Sequence, residues 1–534
     1  MFYTLIDRKD GHIARTCESP VIKYRLDASE HLRYAIRLEI DAADCIRSRK
    51  MQIFFRNRLA LVFEQILRFG SKHLGNIHLS NLLFNSFVPA HLDTEIYHSF
   101  ACLAIKMEEV TSTAMNTISE IHPSSALCTP VRQIASRFIS LYFVSVKKQI
   151  IIRKNEEHRI LAGHQWVFSN EIKIVHGNPE AGDVIELLRY DEKFLGVGFY
   201  NPHSLIAFRL LSREQEAITF EFFEQRIARA LKLRQRLYPG SESFRLVHSE
   251  ADFLPGLIID KYNEYLSLQT LSVGMDRRLT LICDVLESMF HPKAIVERNE
   301  SALRTLEQLP LKKGVLRGTL GQTIMSEKGV KFKVALLDGQ KTGFFLDQRE
   351  NRLAIQRYAK DAAVLDCFCN EGGFAIYAAL GGASRVLALD SSETAIANAK
   401  VNATINEVPQ IEFETADVFE KLPKLYESGQ RFDLVILDPP SFSRNKKTVA
   451  TALKGYKEIN AGAIRLINPG GILVTASCSH HVTSESFIES VEAAARANHR
   501  SLQLLEWRGA AADHPTLPVM PETGYLKFGI FAVR

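Results

Sequence analysis

At 534 residues the chain exceeds what one hydrophobic core organises, and about three or four domains of the usual ~100–200 residues are expected. Hydrophobic residues at 46% and charged residues at 24% exclude wholesale disorder, and no apolar run approaches the roughly 20 residues of a membrane span. The formal net charge of +5 permits a nucleic-acid partner but suits many enzymes equally well.

Asp7, Arg8, Lys9 and Asp10 stand where a signal peptide carries its apolar stretch, so a cytoplasmic protein is expected. The eight cysteines are scattered. Only Cys367 and Cys369 lie close together, without C-x-x-C spacing, which predicts reduced thiols and no structural metal. In a reducing compartment a cysteine is free to act as a nucleophile. Between Met51 and Phe69 the spacing of Ile53, Phe54, Leu59, Val62, Phe63, Ile66 and Leu67 predicts an amphipathic helix. Residues 1–143 otherwise form an unassigned N-terminal extension. A small accessory domain, a poorly ordered stretch and a start-site artefact, with translation beginning near Val144, all stay open.

From Val144 short β-like runs follow at Val144 to Ile152, Val184 to Leu188, Phe194 to Tyr200 and Ser204 to Leu211, with turns such as Ala181-Gly182-Asp183 between them. They predict a small β-barrel-like domain over 144–220. Phe220 to Leu237 reads as a helix with Phe222, Phe223, Ile227, Leu231 and Leu233 inward. Its other residues include Arg226, Arg229, Lys232, Arg234 and Arg236, either a solvated face or a nucleic-acid contact. Strands at Gly256 to Asp260, Tyr265 to Leu271 and Ala294 to Arg298, with a helix from Arg277 to Phe290, predict a central α/β domain over 221–335.

In the last part, 336–534, strands and helices alternate: Ala363 to Phe368, Phe374 to Ala379, Arg385 to Asp390, Ala395 to Ile405, Phe432 to Leu437, Tyr456 to Ile467 and Gly471 to Ser477. Such order builds an open parallel α/β sheet with ligands at the carboxyl ends of its strands. The first strand leads into Asp366-Cys367-Phe368-Cys369-Asn370-Glu371-Gly372-Gly373-Phe374, which is not G-x-G-x-x-G. Its glycines permit a tight turn, and its acidic pair, Asp366 and Glu371, would repel a pyrophosphate but suit the cationic S-adenosylmethionine. Asp390 ends the second strand, where a carboxylate accepts ribose hydroxyls. Asp417 follows, in reach of an adenine amino group. Each acid alone would pass for a surface carboxylate, but three in order favour a nucleoside cofactor.

The next strand ends in Asp438-Pro439-Pro440-Ser441-Phe442, in which the prolines stiffen the backbone, Asp438 can hold a base edge and Phe442 can stack on it. This motif points to a methyltransferase without naming the target atom. Ala476-Ser477-Cys478-Ser479-His480-His481 closes the following strand. Carbon 5 of cytosine is too weak a nucleophile to take a methyl group unaided, and thiolate attack at carbon 6 activates it. Cys478 is placed for that step, although a solitary cysteine is more often a small buried hydrophobe. His480 and His481 stay unassigned.

These residues resemble the large-subunit ribosomal RNA 5-methylcytosine methyltransferases, which join a PUA domain, a central α/β domain and a Rossmann-like class I methyltransferase domain. The match runs from about Val144 to Arg534. Arg159-Ile160-Leu161-Ala162-Gly163-His164-Gln165-Trp166-Val167-Phe168-Ser169-Asn170-Glu171-Ile172 looks like that family's opening signature, and Lys341-Thr342-Gly343-Phe344-Phe345-Leu346-Asp347-Gln348-Arg349 like its approach to the cofactor site. The resemblance implies S-adenosyl-L-methionine as cofactor, met by Gln348, Asp366, Phe368, Asn370, Gly372, Gly373, Asp390, Ser391, Asp417 and Val418. It implies Cys478 and Asp438 as catalytic residues, no metal, and 23S ribosomal RNA or a large-subunit precursor as partner, touched by Pro439, Phe442, Arg226 and Arg229. No membrane partner is expected, and a homodimer is left open. Two departures stand out: residues 1–143 have no counterpart, and Asn370-Glu371 replaces an aromatic-threonine pair. Ser441 stands where some cytosine methyltransferases carry a second cysteine. Two competing readings are methylation of a guanine nitrogen, which needs no cysteine, and a non-catalytic RNA-binding ribosome-assembly factor.

Overall fold

The computed structural model describes residues 3–6, 13–16, 147–443 and 446–534. The helix expected between Met51 and Phe69 lies outside them. Of the extension, β1 (Tyr3–Ile6) and β2 (Ile13–Thr16) are described and pair antiparallel. They belong to one compact unit, residues 1–129, and everything below belongs to the other, residues 130–534.

The barrel-like body comprises β3 (Gln149–Ile152), α1 (Glu157–Ala162), β4 (Trp166–Phe168), β5 (Ile172–His176), β6 (Val184–Leu188), β7 (Phe194–Tyr200) and β8 (Ile206–Ser212). Its strands run in the order β4-β8-β7-β6-β3-β5, with only β3 and β6 parallel. Branched and aromatic residues, Ile150, Ile152, Val167, Leu187 and Phe208, are buried between the strands, as half-buried pleated surfaces favour.

A second sheet follows. Its elements are α2 (Phe220–Leu237), β9 (Ser243–His248), β10 (Leu257–Tyr262), β11 (Tyr265–Thr270), α3 (Val273–Asp276), α4 (Leu279–Phe290), β12 (Ala294–Asn299) and β13 (Lys312–Gly318), in strand order β13-β12-β11-β10-β9. The helix expected from Arg277 to Phe290 is α4, which begins two residues later, and the short α3 precedes it. Gly274 in α3 lets the barrel approach closely, since a Cβ there would lie 2.1 Å from the Phe199 ring. On α2, Phe222, Phe223 and Ile227 are buried as their spacing predicts, but Leu233 is exposed and Arg234 is fully buried. Arg234 replaces the expected solvated charge with a bidentate pair to Asp252 at 2.5 and 2.6 Å and a bond to the Arg245 carbonyl at 2.9 Å. The 3.6-residue period carries Arg234 to the Ile227 face, and its guanidinium is retained there because, with the Asp513 carbonyl at 2.8 Å, four of its five N–H groups find an acceptor.

The third body begins with a hairpin, β14 (Thr323–Glu327) and β15 (Val330–Val334). Phe332 joins the catalytic core, and buried Glu327 accepts from Arg352 at 2.8 and 3.0 Å. The hairpin thus packs on elements of the third body. The body continues through α5 (Arg349–Ala359), β16 (Ala363–Cys367), α6 (Gly373–Leu380), β17 (Arg385–Asp390), α7 (Glu393–Ile405), β18 (Ile411–Thr415), α8 (Val418–Glu427), β19 (Phe432–Leu437), α9 (Val449–Leu466), β20 (Ile467–Ser477), α10 (Ser484–Arg496), β21 (Leu502–Arg508) and β22 (Lys527–Val533). Strand order is β18-β17-β16-β19-β20-β22-β21. Strands β16 to β20 are parallel, and β22 inserts antiparallel between β20 and β21. The strand order reverses beside β16, which opens a crevice at the carboxyl edge, the usual ligand position in such sheets. Among the described residues no helix is long and apolar enough to cross a membrane.

Candidate active site

The loop between β16 and α6 is unusually wound. Phe368, Asn370 and Gly372 take φ of 65°, 46° and 81°, the left-handed region that costs a non-glycine residue about 1 kcal/mol or more. Three bonds hold the loop in place. Cys369 N–H donates to the Leu389 carbonyl at 2.9 Å, Gly372 N–H to the Cys369 carbonyl at 2.9 Å, and Asn370 N–H to Asp390 Oδ2 at 2.9 Å. Gly372 opens α6, and a Cβ there would meet Ala399 and Phe413 at 3.2 and 3.3 Å. The adjacent Gly373 lies against the Arg352 stem.

Asp390 ends β17 half-buried and accepts the Ser392 amide on Oδ1 at 2.9 Å. Each of its oxygens keeps lone-pair capacity for a ribose hydroxyl. Ser391 is exposed beside it. Asp417 is exposed and caps α8 by accepting the Phe419 amide at 2.8 Å, while the Val418 side chain is buried in the core. The loop contains neither lysine nor arginine, so a phosphate would meet no side-chain cation from it, whereas a cationic nucleoside fits.

The acidic pair differs from the sequence expectation. Asp366 is fully buried and accepts the Ala375 amide at 2.9 Å. Burial, with Asp438 and Asp390 nearby, pushes its carboxyl well above the usual range. Glu371 is also buried, accepts from Asn398 at 3.2 Å, and is pushed up to about 7 by burial. Burial thus withdraws both from the solvent-facing position that the sequence suggests. Asp390, half-buried, and Asp417, exposed, are the acids left at the carboxyl edge of the sheet.

On the other side of β16 lie the groups of the expected chemistry. Asp438 follows β19 half-buried. Gln348 donates to it at 3.0 Å, and Asn351 fixes Gln348 by donating to its carbonyl oxygen at 2.7 Å. Burial, then the charge of Asp347, pushes the Asp438 carboxyl up to about 7 against the opposing pull of Lys341. Pro439 is buried, and Phe442 packs at 4.7 Å from Tyr456 and 6.1 Å from Phe419. Cys478 follows the adjacent parallel strand β20 and is half-buried. Burial and the Asp438 charge push its thiol up to about 11, and Lys341 opposes them. His480 and His481 are exposed, the His480 ring lying 5.4 Å from that of Tyr525.

Two lysines whose roles the sequence leaves unmarked, Lys527 and Lys341, lie here. Lys527 pairs across strands with Ser477 in register, is buried, and donates to the Ser479 carbonyl at 2.7 Å. Burial pushes its ammonium down to about 8. Lys341 bonds Asp347 at 2.5 Å, and Tyr525 donates to the same carboxylate oxygen at 2.5 Å. Burial would raise Asp347, but Lys341 and His514 outweigh it and hold this carboxyl well below its usual range. No motif marks Lys527. Only the register of β22, a strand absent from the sequence reading, brings it here.

Arg226 and Arg229 have other surroundings. Arg226 donates to the Leu211 carbonyl at 3.1 Å and lies over the Phe222 and Phe253 rings, and Arg229 is exposed on α2. The signature at Arg159–Ile172 is largely structural. Gln165 and Trp166 both donate to Glu250, at 2.7 and 2.8 Å, which docks the barrel on the central sheet.

Comparison with known proteins agrees with this geometry. Residues 150–213 match the model of a PUA-like domain, and residues 315–528 that of the S-adenosylmethionine-dependent methyltransferases. Ribosomal RNA large subunit methyltransferase I from Tolumonas auensis is 41% identical over 386 residues, covering 71% of this chain and 97% of that protein. Its Vibrio cholerae namesake is 39% identical over the same length, with the same coverage. A putative methyltransferase from Streptococcus mutans shares the fold with a TM-score of 0.63 at 19% identity, covering 72% of this chain and all of its own. A second solved structure of similar score, 0.63 at 20% identity, is a putative methyltransferase complexed with SAH. The cofactor is S-adenosylmethionine, and the chain belongs to the ribosomal RNA large subunit methyltransferase I family.

Proposed function

We propose that this chain, working in the cytoplasm, methylates carbon 5 of a cytosine in 23S ribosomal RNA through a covalent bond to Cys478. The observation that carries the reading is the placement of Cys478 and Asp438 at the ends of adjacent parallel strands, where Leu437 and Thr475 are in register. Asp390 and Asp417 would hold the ribose and adenine, and the Phe368–Gly373 turn would face the methionine end. Bound S-adenosylmethionine supplies an electrophilic methyl group for carbon 5.

The residues account for the rest. A thiol pushed to about 11 is mostly protonated at neutral pH, and the cations Lys341 and Lys527 favour the thiolate once a base fills the pocket. The thiol proton passes to solvent, and the sulfur forms a bond to carbon 6. The electrons of the carbon 5–carbon 6 double bond move into the ring, and N3 takes the proton of Asp438. A carboxyl with a pKa near 7 can both give and recover that proton. Carbon 5 is then an enamine carbon, to which the bound cofactor would supply its methyl group. Passage of the carbon 5 proton to solvent and rupture of the sulfur–carbon bond restore the aromatic ring and a Cys478 thiolate, which takes a proton back from solvent, while N3 returns its proton to Asp438. Ser441 offers no second thiol for release, so elimination follows from proton loss alone. The PUA-like domain and the exposed Arg229 would dock the RNA.

Purified protein incubated with tritiated S-adenosylmethionine and unmodified ribosomal RNA should place label in 5-methylcytidine, and Cys478→Ala should abolish it. Label in a guanosine, kept in the variant, would overturn the cysteine mechanism. No label on RNA or ribosomal particles would favour a binding factor.

A further inference from the structure

A line of hydroxyl groups brackets Cys478. Ser477 Oγ donates to Tyr456 Oη at 2.9 Å, Tyr456 Oη lies 2.9 Å from Ser479 Oγ, and Ser479 Oγ lies 3.0 Å from Ser441 Oγ. Ser441 Oγ in turn bonds the Ser443 carbonyl at 2.9 Å. A carbonyl only accepts, so the single Ser441 proton is spent there. Ser479 must then donate to Ser441, Tyr456 to Ser479, and Ser477 to Tyr456. Every hydroxyl donates once, in one direction, and Ser479 Oγ also accepts the Ser443 amide at 3.3 Å. Ser477, Ser479 and Tyr456 are completely buried, the setting in which aligned hydrogen bonds strengthen one another.

The chain starts one residue before Cys478, returns one residue after it, and ends in the loop that follows Asp438. It therefore spans the only two segments that carry the proposed thiol and acid. It terminates on a backbone carbonyl, which cannot pass a proton on, so it is no relay. Resting on the reading of Cys478 as nucleophile, we infer that Tyr456, at the centre of α9, and Ser479 are positioning residues that set Cys478 against the Asp438 loop. Burying a tyrosine and two serines solely for packing would be costly unless satisfied. Among the described residues they are satisfied by each other and by the two loops. Phe442 packs on the same Tyr456 ring, so the aromatic of the Asp438 loop is set from this point as well.

The test compares wild type with Tyr456→Phe, Ser479→Ala, Ser479→Thr and Ser441→Ala, reading kcat for methyl transfer, KM for S-adenosylmethionine, and peptide-resolved alkylation of Cys478 against pH. Loosening the cysteine loop should lower kcat ~10-fold to 100-fold, the scale of a 1 Å misplacement. KM should stay within about twofold, because the cofactor crevice lies on the other side of β16. Alkylation of Cys478 at pH 8 should become at least about fivefold faster, as the freed thiol regains water and its pKa falls. Ser479→Thr, which keeps the hydroxyl, should restore both. Ser441→Ala breaks the last link at an exposed residue and reads the same proposal should a core variant fold poorly. A kcat within about twofold of wild type in folded variants, or a lowered kcat with unmoved Cys478 alkylation, would overturn it. Neither readout depends on which base is methylated, so a wrong cytosine assignment would show separately, as another labelled nucleoside.

Discussion

Asp438 is the acid on which the proposed proton traffic turns, and its burial makes two statements about pH. Its carboxyl sits near 7 in the fold against an ordinary 3.8, so the protonated form is favoured by folding. That contribution is complete below the ordinary value and is lost as pH rises through about 7. Asp438→Asn cannot ionise and still accepts from Gln348. Its melting temperature should exceed that of wild type at pH 8 and converge with it near pH 4, while kcat falls ~100-fold or more with the acid gone. Equal melting temperatures at pH 8 would contradict the burial argument. Lys527 makes a complementary case, being a cation next to a thiol that burial resists ionising. Lys527→Met should slow alkylation of Cys478 at pH 8 by about tenfold, one pKa unit of lost charge stabilisation, and an unchanged rate would remove Lys527 from the site. The sequence made Cys478 and Asp438 visible because each follows an apolar run that can only be a buried parallel strand. Lys527 stayed hidden because it opens such a run, where a lysine reads as flanking charge.

Among the elements, α2 shows where periodicity stops short. Its apolar spacing located the helix end to end, Phe220–Leu237, and the inward faces of Phe222, Phe223 and Ile227. Charge was assigned outward by type, and Arg234 violates that rule because Asp252 lies on the far side to meet it. Removing one partner of such a pair leaves a buried charge, so Arg234→Ala should lose about 3–5 kcal/mol in denaturant unfolding. Arg229→Ala on the exposed face should stay within about 0.5 kcal/mol. Similar losses for both would mean that Arg234 is no more buried than its neighbours. Within the catalytic sheet, strands β18, β21 and β22 carry no sequence expectation, although β22 is buried throughout. Alternation of strands and helices predicts parallel neighbours well, but nothing local says that the last strand turns back and inserts between β20 and β21. The acids show the same limit: the position of Asp366 and Glu371 along the chain was legible, and the burial that neutralises them was not, because it depends on α6 and α7 packing over them.

On the largest scale, three bodies within the described residues of 147–534 are tied by buried polar contacts. Arg234 reaches across to donate to the Asp513 carbonyl at 2.8 Å, Arg245 N–H donates to Asp513 Oδ2 at 2.9 Å, and Thr342 bonds Asp260. The segment Lys341–Arg349, distinctive in sequence, is thus the joint between the central sheet and the catalytic sheet, which is why it supplies both Lys341 and Gln348 to the site. The catalytic body begins before the β14–β15 hairpin, near residue 320, and we propose that boundary in place of 335/336. The Tolumonas auensis relative matches over 386 residues and 97% of its own length. What all three bodies serve, in this account, is one covalent bond between Cys478 and a cytosine of ribosomal RNA. The most direct measurement replaces cytidine by 5-fluorocytidine in the RNA substrate, where fluorine cannot leave as a proton does. With S-adenosylmethionine present, a denaturation-resistant protein–RNA complex should accumulate, with Cys478 as the modified residue by mass spectrometry, and should be absent from Cys478→Ala. Methylation by wild type without any trapped complex, or a complex that survives in Cys478→Ala, would contradict it.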